Sequence, residues 1–169
     1  MLRSSSLLLL CVVAACGGGG GGGSPTPPAT GPVRVGAAAI EIPVAASSAE
    51  VLVNITVDST PAPVLLELAV EVPNGLALPA TQRLAAVAPL VTLDGDFVNQ
   101  RFVVLCGDAQ NVSAAPLASG PLFRLRIAPS TPRLPGTYTL RLLPRRAASQ
   151  DGQAVAFDTT PTTVDVVVR

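Results

Sequence analysis

Val51-Leu52-Val53-Asn54-Ile55-Thr56-Val57-Asp58 is the stretch that decides the fold. Apolar and polar side chains alternate residue by residue, which is the period of a strand with one buried face. Val51, Val53, Ile55 and Val57 are expected to point inward, and Leu52, Asn54, Thr56 and Asp58 outward. The same period recurs along the chain. Leu66, Leu68, Val70 and Val72 share one face, with Glu67 and Glu71 on the other. Phe123, Leu125 and Ile127 alternate with Arg124 and Arg126, and Tyr138, Leu140 and Leu142 alternate with Thr139 and Arg141. Val164, Val166 and Val168 alternate with Asp165, and Ala37–Val44 and Gln100–Leu105 read as further strands.

Turn chemistry separates these runs. Ser59-Thr60-Pro61-Ala62-Pro63, Pro73-Asn74-Gly75, Asp94-Gly95-Asp96, Pro135-Gly136 and Asp151-Gly152 all favour tight reversals. No segment carries a sustained helical period with caps. Thr81–Val91, limited by Pro79 and Pro89, is the best candidate for one short helical turn. Many short strands joined by regular turns predict an all-β sandwich or barrel.

The first two dozen residues follow another logic. Arg3 supplies a positive start, Leu7–Val13 a short apolar run, and Val13-Ala14-Ala15-Cys16 leads into seven glycines. The apolar run is shorter than the ~20 residues that span a bilayer and fits a secretory signal. Val13, Ala14, Ala15 and Cys16 resemble, position by position, the lipobox of bacterial lipoproteins. That resemblance implies residues 1–15 as a cleaved signal peptide, a lipid on Cys16, and a membrane-anchored extracytoplasmic address. Gly17 in place of Asp implies the outer membrane or cell surface if the organism has two membranes. Residues 16–32 continue as a Gly/Pro-rich tether expected to stay disordered, because it has almost no apolar surface to bury.

Residues 33–169 then form a single domain, a common domain size and large enough to fold without disulfides. The one cysteine in it, Cys106, follows Phe102-Val103-Val104-Leu105 and reads as a buried, inert thiol. The chain has no His and a formal net charge of +0. Its acids concentrate before residue 100 and its arginines after it, which would make a two-sided surface unless folding interleaves the halves. Without a basic excess, and with few aromatics, nucleic-acid binding is not expected.

Catalytic residues are hard to assemble from this composition. Acid–base work without His falls to carboxylates, Tyr138 or a thiol. Glu67 and Glu71 share a strand face, but four residues along a strand separate them by about 13 Å, beyond the ~5–9.5 Å of glycosidase carboxylate pairs. Asp94-Gly95-Asp96, with Asp151 and Asp158, offers too few oxygens for calcium, which takes about six to eight. Neither a metal site nor a cofactor is therefore expected. Asn54-Ile55-Thr56 and Asn111-Val112-Ser113 fit a glycosylation sequon but carry little weight in a bacterial lipoprotein. Arg124, Arg126 and Arg141 are expected on the outward faces of two strands that could pair, with Arg145 and Arg146 in a following loop. Guanidinium forks bind carboxylates in pairs, so that face is the candidate for an acidic protein partner. The competing reading is a solubility face neutralised by Glu67 and Glu71.

The order of features resembles the cohesin-like and carbohydrate-binding-module-like sandwich superfamily. The likeness covers most of 33–169 and is strongest in the last third: Ser119-Gly120 before Leu122–Ile127, Pro135-Gly136-Thr137-Tyr138 opening the next strand, Ser149–Ala154 before the closing Val164–Val168. It implies a jelly-roll-like β-sandwich of about eight or nine strands that binds rather than catalyses. Cohesins bind dockerin modules through one flat sheet face, and related modules bind polysaccharide through exposed aromatic rings. This chain has no Trp, Tyr138 falls on the inward face, and Phe97, Phe102, Phe123 and Phe157 are few for a platform. The expectation is therefore a lipid-anchored module for protein–protein interaction or assembly at the cell envelope. A carbohydrate-binding surface lipoprotein, or a structural lipoprotein with no discrete ligand, stays open as the alternative.

Overall fold

A computed structural model describes residues 32–88, 92–99, 101–107 and 115–169. These form eleven strands and, among the described residues, no helix. In chain order they are β1 Val33–Ala37, β2 Ile40–Ile42, β3 Ala49–Val57, β4 Leu65–Glu71, β5 Leu76–Ala77, β6 Leu84–Ala86, β7 Leu93–Val98, β8 Arg101–Gly107, β9 Gly120–Pro129, β10 Gly136–Ala148 and β11 Thr162–Val168. Two sheets face each other. One runs β1-β3-β9-β5, with β6 also on β9, and the other runs β2-β11-β10-β4-β8-β7. The all-β sandwich expected from the alternation is the architecture present.

The inward residues meet in one core. Val51, Val53, Phe123, Leu125 and Ile127 from the first sheet close on Leu66, Leu68, Phe102, Val104, Leu140 and Val166 from the second, all fully buried. Burying one such side chain stabilises the fold by about 1.5–3 kcal/mol. β1 and β11 are both built into the sheets, and every described core residue lies between Val33 and Val168.

Three local expectations change. The strand expected over 37–44 is broken at Ala38-Ala39. Before the break, β1 pairs antiparallel with β3; after it, β2 pairs parallel with β11 in the other sheet. Gly36 to Ala39 carry nothing larger than a methyl, so the chain can bend from one sheet to the other, as strands at sandwich corners do. That switch and the short β5 and β6 raise the strand number from the expected eight or nine to eleven. The helical turn expected in 81–91 is instead β6, where Leu84, Ala85 and Ala86 pair with Leu125, Arg124 and Phe123; residues 89–91 lie outside the described ones. A distant strand outcompetes the weak local preference. Finally, Asp94-Gly95-Asp96 is no turn but the middle of β7, and the chain reverses after it at Asn99, with φ at 49°. Gly95 faces inward, where an added Cβ would lie 2.6 Å from the Phe102 ring and 2.8 Å from Leu84.

The two charge-biased halves interleave. β4, from the acidic half, lies between β8 and β10 from the basic half. Arg101 and Arg141 both reach Glu71, at 2.6 and 3.0 Å, and Arg124 reaches Glu50 at 3.7 Å. Sheet pairing thus neutralises the polarity visible along the chain.

Candidate interaction surface

The three arginines expected on one face do not meet. Arg124 and Arg126 lie on β9, which pairs with β3, β5 and β6; Arg141 lies on β10, which pairs with β4 and β11. The two strands belong to opposite sheets, so Arg141 is on the far side of the sandwich from the other two. Alternation correctly put each side chain outward, but strand neighbours are set by non-local pairing that a period cannot report. Each guanidinium has a local partner. Arg126 Nη1 donates to Gln82 Oε1 at 2.9 Å, Arg124 pairs with Glu50, and Arg141 with Glu71.

Other singled-out residues fall as follows. Cys16, and the Asn111 sequon, lie outside the described residues. Cys106 is fully buried, and desolvation pushes its thiol up to about 12, so it carries no thiolate at neutral pH. Tyr138 is half-buried on the core side, and its hydroxyl donates to the Leu134 carbonyl at 2.9 Å. Asp151 accepts the Ser149 hydroxyl and Asp158 accepts the Thr160 amide, and these bonds lower both carboxyl pKa values. Among the described residues, no three His, Cys, Asp or Glu side chains gather as a metal site would need. Phe102 and Phe123 are buried. Phe97, 53% exposed, leans on Phe102 with ring centroids 5.3 Å apart, and the Arg83 guanidinium covers both rings at 5.8 and 5.4 Å. A cleft of about 380 Å³ beside Leu117 and Leu122 is lined by small apolar residues. Its Ser119 hydroxyl already accepts the Val57 amide at 2.8 Å, leaving little to orient a small polar ligand.

What the pairing does assemble is the outer face of β10-β4-β8-β7. Register places the outward side chains in rows across these four strands. Arg141, Glu71, Arg101 and Val98 make the first, and Leu143, Ala69, Val103 and Asp96 the second. Arg146, Glu67, Leu105 and Asp94 make the third. Glu71 is held from both sides by Arg141 and Arg101. Beside it lies an apolar strip of Leu143, Val103 and Leu105, with Ala69 at its centre overshadowed by its neighbours. A shallow depression of about 130 Å³ runs between Val103, Leu105 and the two aspartates. At one side of the strip, Asp94 and Asp96 are exposed on the edge strand. At the other, Arg145 and Arg146 project together because a bulge between Pro144 and Arg146 inserts one residue. Among the described residues none of these four charges has an ion pair. An apolar centre with a charged rim is the build of a protein-binding patch.

The sequence carries a local signal for this face. β8 reads Arg-Phe-Val-Val-Leu-Cys-Gly, apolar on both faces from Phe102 to Cys106. A strand with one face in solvent has no need of Val103 and Leu105 on the other.

No protein-family model and no curated protein matches the sequence. Solved structures do match in fold. The seventh ScaB type I cohesin from Pseudobacteroides cellulosolvens has a TM-score of 0.64 at 13% identity, over 82% of this chain and 92% of that one. A non-cellulosomal cohesin from the archaeon Archaeoglobus fulgidus has a TM-score of 0.58 at 18% identity, over 81% and 92%. The cohesin–dockerin complex Coh-OlpA-Doc918 from Clostridium thermocellum has a TM-score of 0.63 at 14% identity, over 82% and 100%. The chain therefore has the cohesin-like jelly-roll sandwich.

Proposed function

We propose that this chain is a lipid-anchored, extracytoplasmic protein-interaction module whose binding face is the outer side of β10-β4-β8-β7. The observation that carries the reading is the outward-facing, half-buried Leu143–Val103–Leu105 strip on four paired strands, set between a pair of exposed aspartates and a pair of exposed arginines. Apolar side chains there contribute nothing to the core, and their burial against a partner is favourable by about 25 cal/mol per Å². The fold likeness to modules solved with dockerins supports a protein as the partner, dockerin-like or another, over a polysaccharide. Sugar binding by stacking needs exposed rings, and the most exposed ring, Phe97, is already engaged by Phe102 and Arg83. Chemistry is not part of the proposal, since the domain offers no histidine and its thiol is buried. The anchor rests on Cys16 and its lipobox, and the tether of residues 17–32 would hold the module off the membrane.

Capture from the envelope of the source organism tests the face, with residues 32–169 as bait. Val103→Arg is expected to lose the partner, and Arg124→Glu/Arg126→Glu, on the opposite sheet, to keep it. The reverse pattern would move the site to the five-stranded sheet and overturn the assignment. Labelled palmitate incorporated by the full chain but not by Cys16→Ser would support the anchor, and no incorporation would reject it.

A further inference from the structure

We infer that the open edge of β7 takes up an extended segment of a partner protein as an added strand, one that alternates basic and apolar residues. This goes beyond the face proposed above, which the edge meets at Asp94 and Asp96. Pairing with β8 fixes which backbone groups of β7 are left over. The Gly107 amide donates to the Thr92 carbonyl at 3.1 Å, so Leu93 and Cys106 form a non-hydrogen-bonded pair. By alternation Asp94, Asp96 and Val98 direct their N–H and C=O groups to β8, while those of Leu93, Gly95 and Phe97 point the other way. β7 ends the six-stranded sheet, and among the described residues no strand pairs along that side. Gly95 is partly exposed there, and a glycine has only backbone to expose. The other edges are covered or short. Along β1 the Val33 amide donates to the Ala156 carbonyl, the Val33 carbonyl accepts from the Asp158 amide, and the Thr162 hydroxyl donates to the Val35 carbonyl. β2 has three residues with the Ile42 carbonyl held by Arg133, and β5 and β6 have two and three. β7 has six, and an edge of that length is a template for another strand.

The side chains decide which strand can be added. Asp94 and Asp96 are exposed on the outer face, without an ion pair among the described residues. An antiparallel strand would place its own residues opposite these two in non-hydrogen-bonded pairs, where side chains come closest. Cations belong at those positions, because opposite charges directly across a pair attract. The residues opposite Leu93, Gly95 and Phe97 would point to the other side, where Phe97 is 53% exposed and gains an apolar cover. A second copy of β7 fails the same test. Centred on Gly95, it sets Asp94 against Asp96 twice, and like charges directly opposite repel. The edge therefore rejects its own copy and selects a basic strand. The Phe97 amide now donates to Asp96 Oδ1 at 2.7 Å. A carbonyl of the added strand would replace that oxygen and release the carboxylate to the incoming cation.

NMR titration of isotope-labelled residues 32–169 with the peptide acetyl-Val-Lys-Val-Lys-Val-amide tests the edge. Amide shifts are expected at Leu93, Gly95 and Phe97. With the lysines opposite the aspartates, the valine backbone nitrogens face β7 and the lysine backbone nitrogens face away. Methylating the valine nitrogens is therefore expected to abolish binding, and methylating the lysine nitrogens to leave it within about twofold. A peptide with glutamates in place of the lysines is expected not to bind. Asp94→Asn/Asp96→Asn keeps an oxygen for the Phe97 amide and is expected to weaken binding about three- to tenfold. Both side chains are exposed, so melting curves should stay at the wild-type temperature. No shift along β7 at millimolar peptide overturns the inference. Equal binding by the valine-methylated peptide also overturns it, because cations would then be meeting the carboxylates without a strand being added. Equal binding by the glutamate peptide does the same. Partner capture through Val103 by a chain whose β7 edge stays silent would sink the added strand and leave the proposed function standing. Peptide binding at β7 in a chain that captures no envelope protein would do the opposite.

Discussion

Arg133 is expected to be the largest single polar contribution to the stability of this domain. It lies in the loop between β9 and β10, half-buried, and its guanidinium donates to four carbonyls. Nε reaches the Arg169 oxygen at 2.9 Å and Nη1 the Ala46 oxygen at 2.8 Å, while Nη2 reaches Ile42 at 2.9 Å and Pro43 at 2.7 Å. One side chain thereby ties the chain end, the three-residue β2 and the loop after it to the body of the sandwich. Arg133→Met keeps the apolar stem and removes every donor. The bonds to Arg169 and Pro43 are exposed, and water replaces them at little cost. The Ile42 carbonyl keeps the Arg169 amide as a second donor at 3.1 Å. The remaining loss is chiefly the partly buried pair to Ala46 and Ile42. A hydrogen bond from a charged donor contributes about 1.5–3 kcal/mol, and with partial exposure the sum is about 2–3 kcal/mol. For a domain of this size that lowers Tm by roughly 10 °C. Urea unfolding and calorimetry of residues 32–169 measure it. Arg133→Lys, with one ammonium for the four acceptors, should recover less than half. Arg145→Ala, which removes an arginine with no ion pair, should stay within ~0.5 kcal/mol of wild type. Amide exchange should accelerate first in β2. A loss below about 0.5 kcal/mol in Arg133→Met, or full rescue by Lys, would refute the reasoning that fork geometry, and not charge alone, pins β2.

Gly95→Ala should destabilise by about 1–3 kcal/mol in urea, because its Cβ has to displace the Phe102 ring and Leu84 in a filled core. An unchanged midpoint would mean β7 can lift away at no cost. Cys106, with its thiol pushed up to about 12 by burial, should resist a thiol reagent in the native state at pH 8 and react fully in denaturant; native labelling at the denatured rate would contradict the buried placement. Asp151 and Asp158 should titrate by NMR below the ordinary Asp value of 3.8, through the Ser149 and Thr160 hydrogen bonds respectively. Their folded pKa values are lowered, so what they add to stability is present above the unfolded pKa and lost as pH falls through the folded one. Asp151→Asn should flatten that acid-side decline, and a decline of the same steepness in the variant would assign it to other carboxylates.

Much of the fold was legible because its information is local. Period two at Val51–Val57, Leu66–Val72 and Val164–Val168 reports which side of a strand is buried, and a sandwich buries one side of nearly every strand. The misread segments are those where a distant contact decides. Gly95 reads as a turn residue because glycine between aspartates usually is one, but here it makes room for a phenylalanine seven residues on in the neighbouring strand β8. Leu84–Ala86 has no strong preference of its own and becomes a strand because β9 offers it an edge.

The same distinction explains why the three arginines do not share a face and why the face proposed above is drawn from four separate strands. Whether a residue points outward is a property of its own strand, but which outward residues become neighbours is a property of sheet order. Arg126 and Arg141 are fifteen residues apart and on opposite sheets, while Arg146, Glu67, Leu105 and Asp94 come from four separate strands and form one row. A charge pattern along the chain therefore cannot predict a docking surface in a fold of this kind. Surplus hydrophobicity can, because it is local again. A strand that buries one face needs apolar residues at every second position, and β8 has them at consecutive positions from Phe102 to Cys106. Phe102, Val104 and Cys106 satisfy the core; Val103 and Leu105 are left on the outside, where the partner proposed above would cover them.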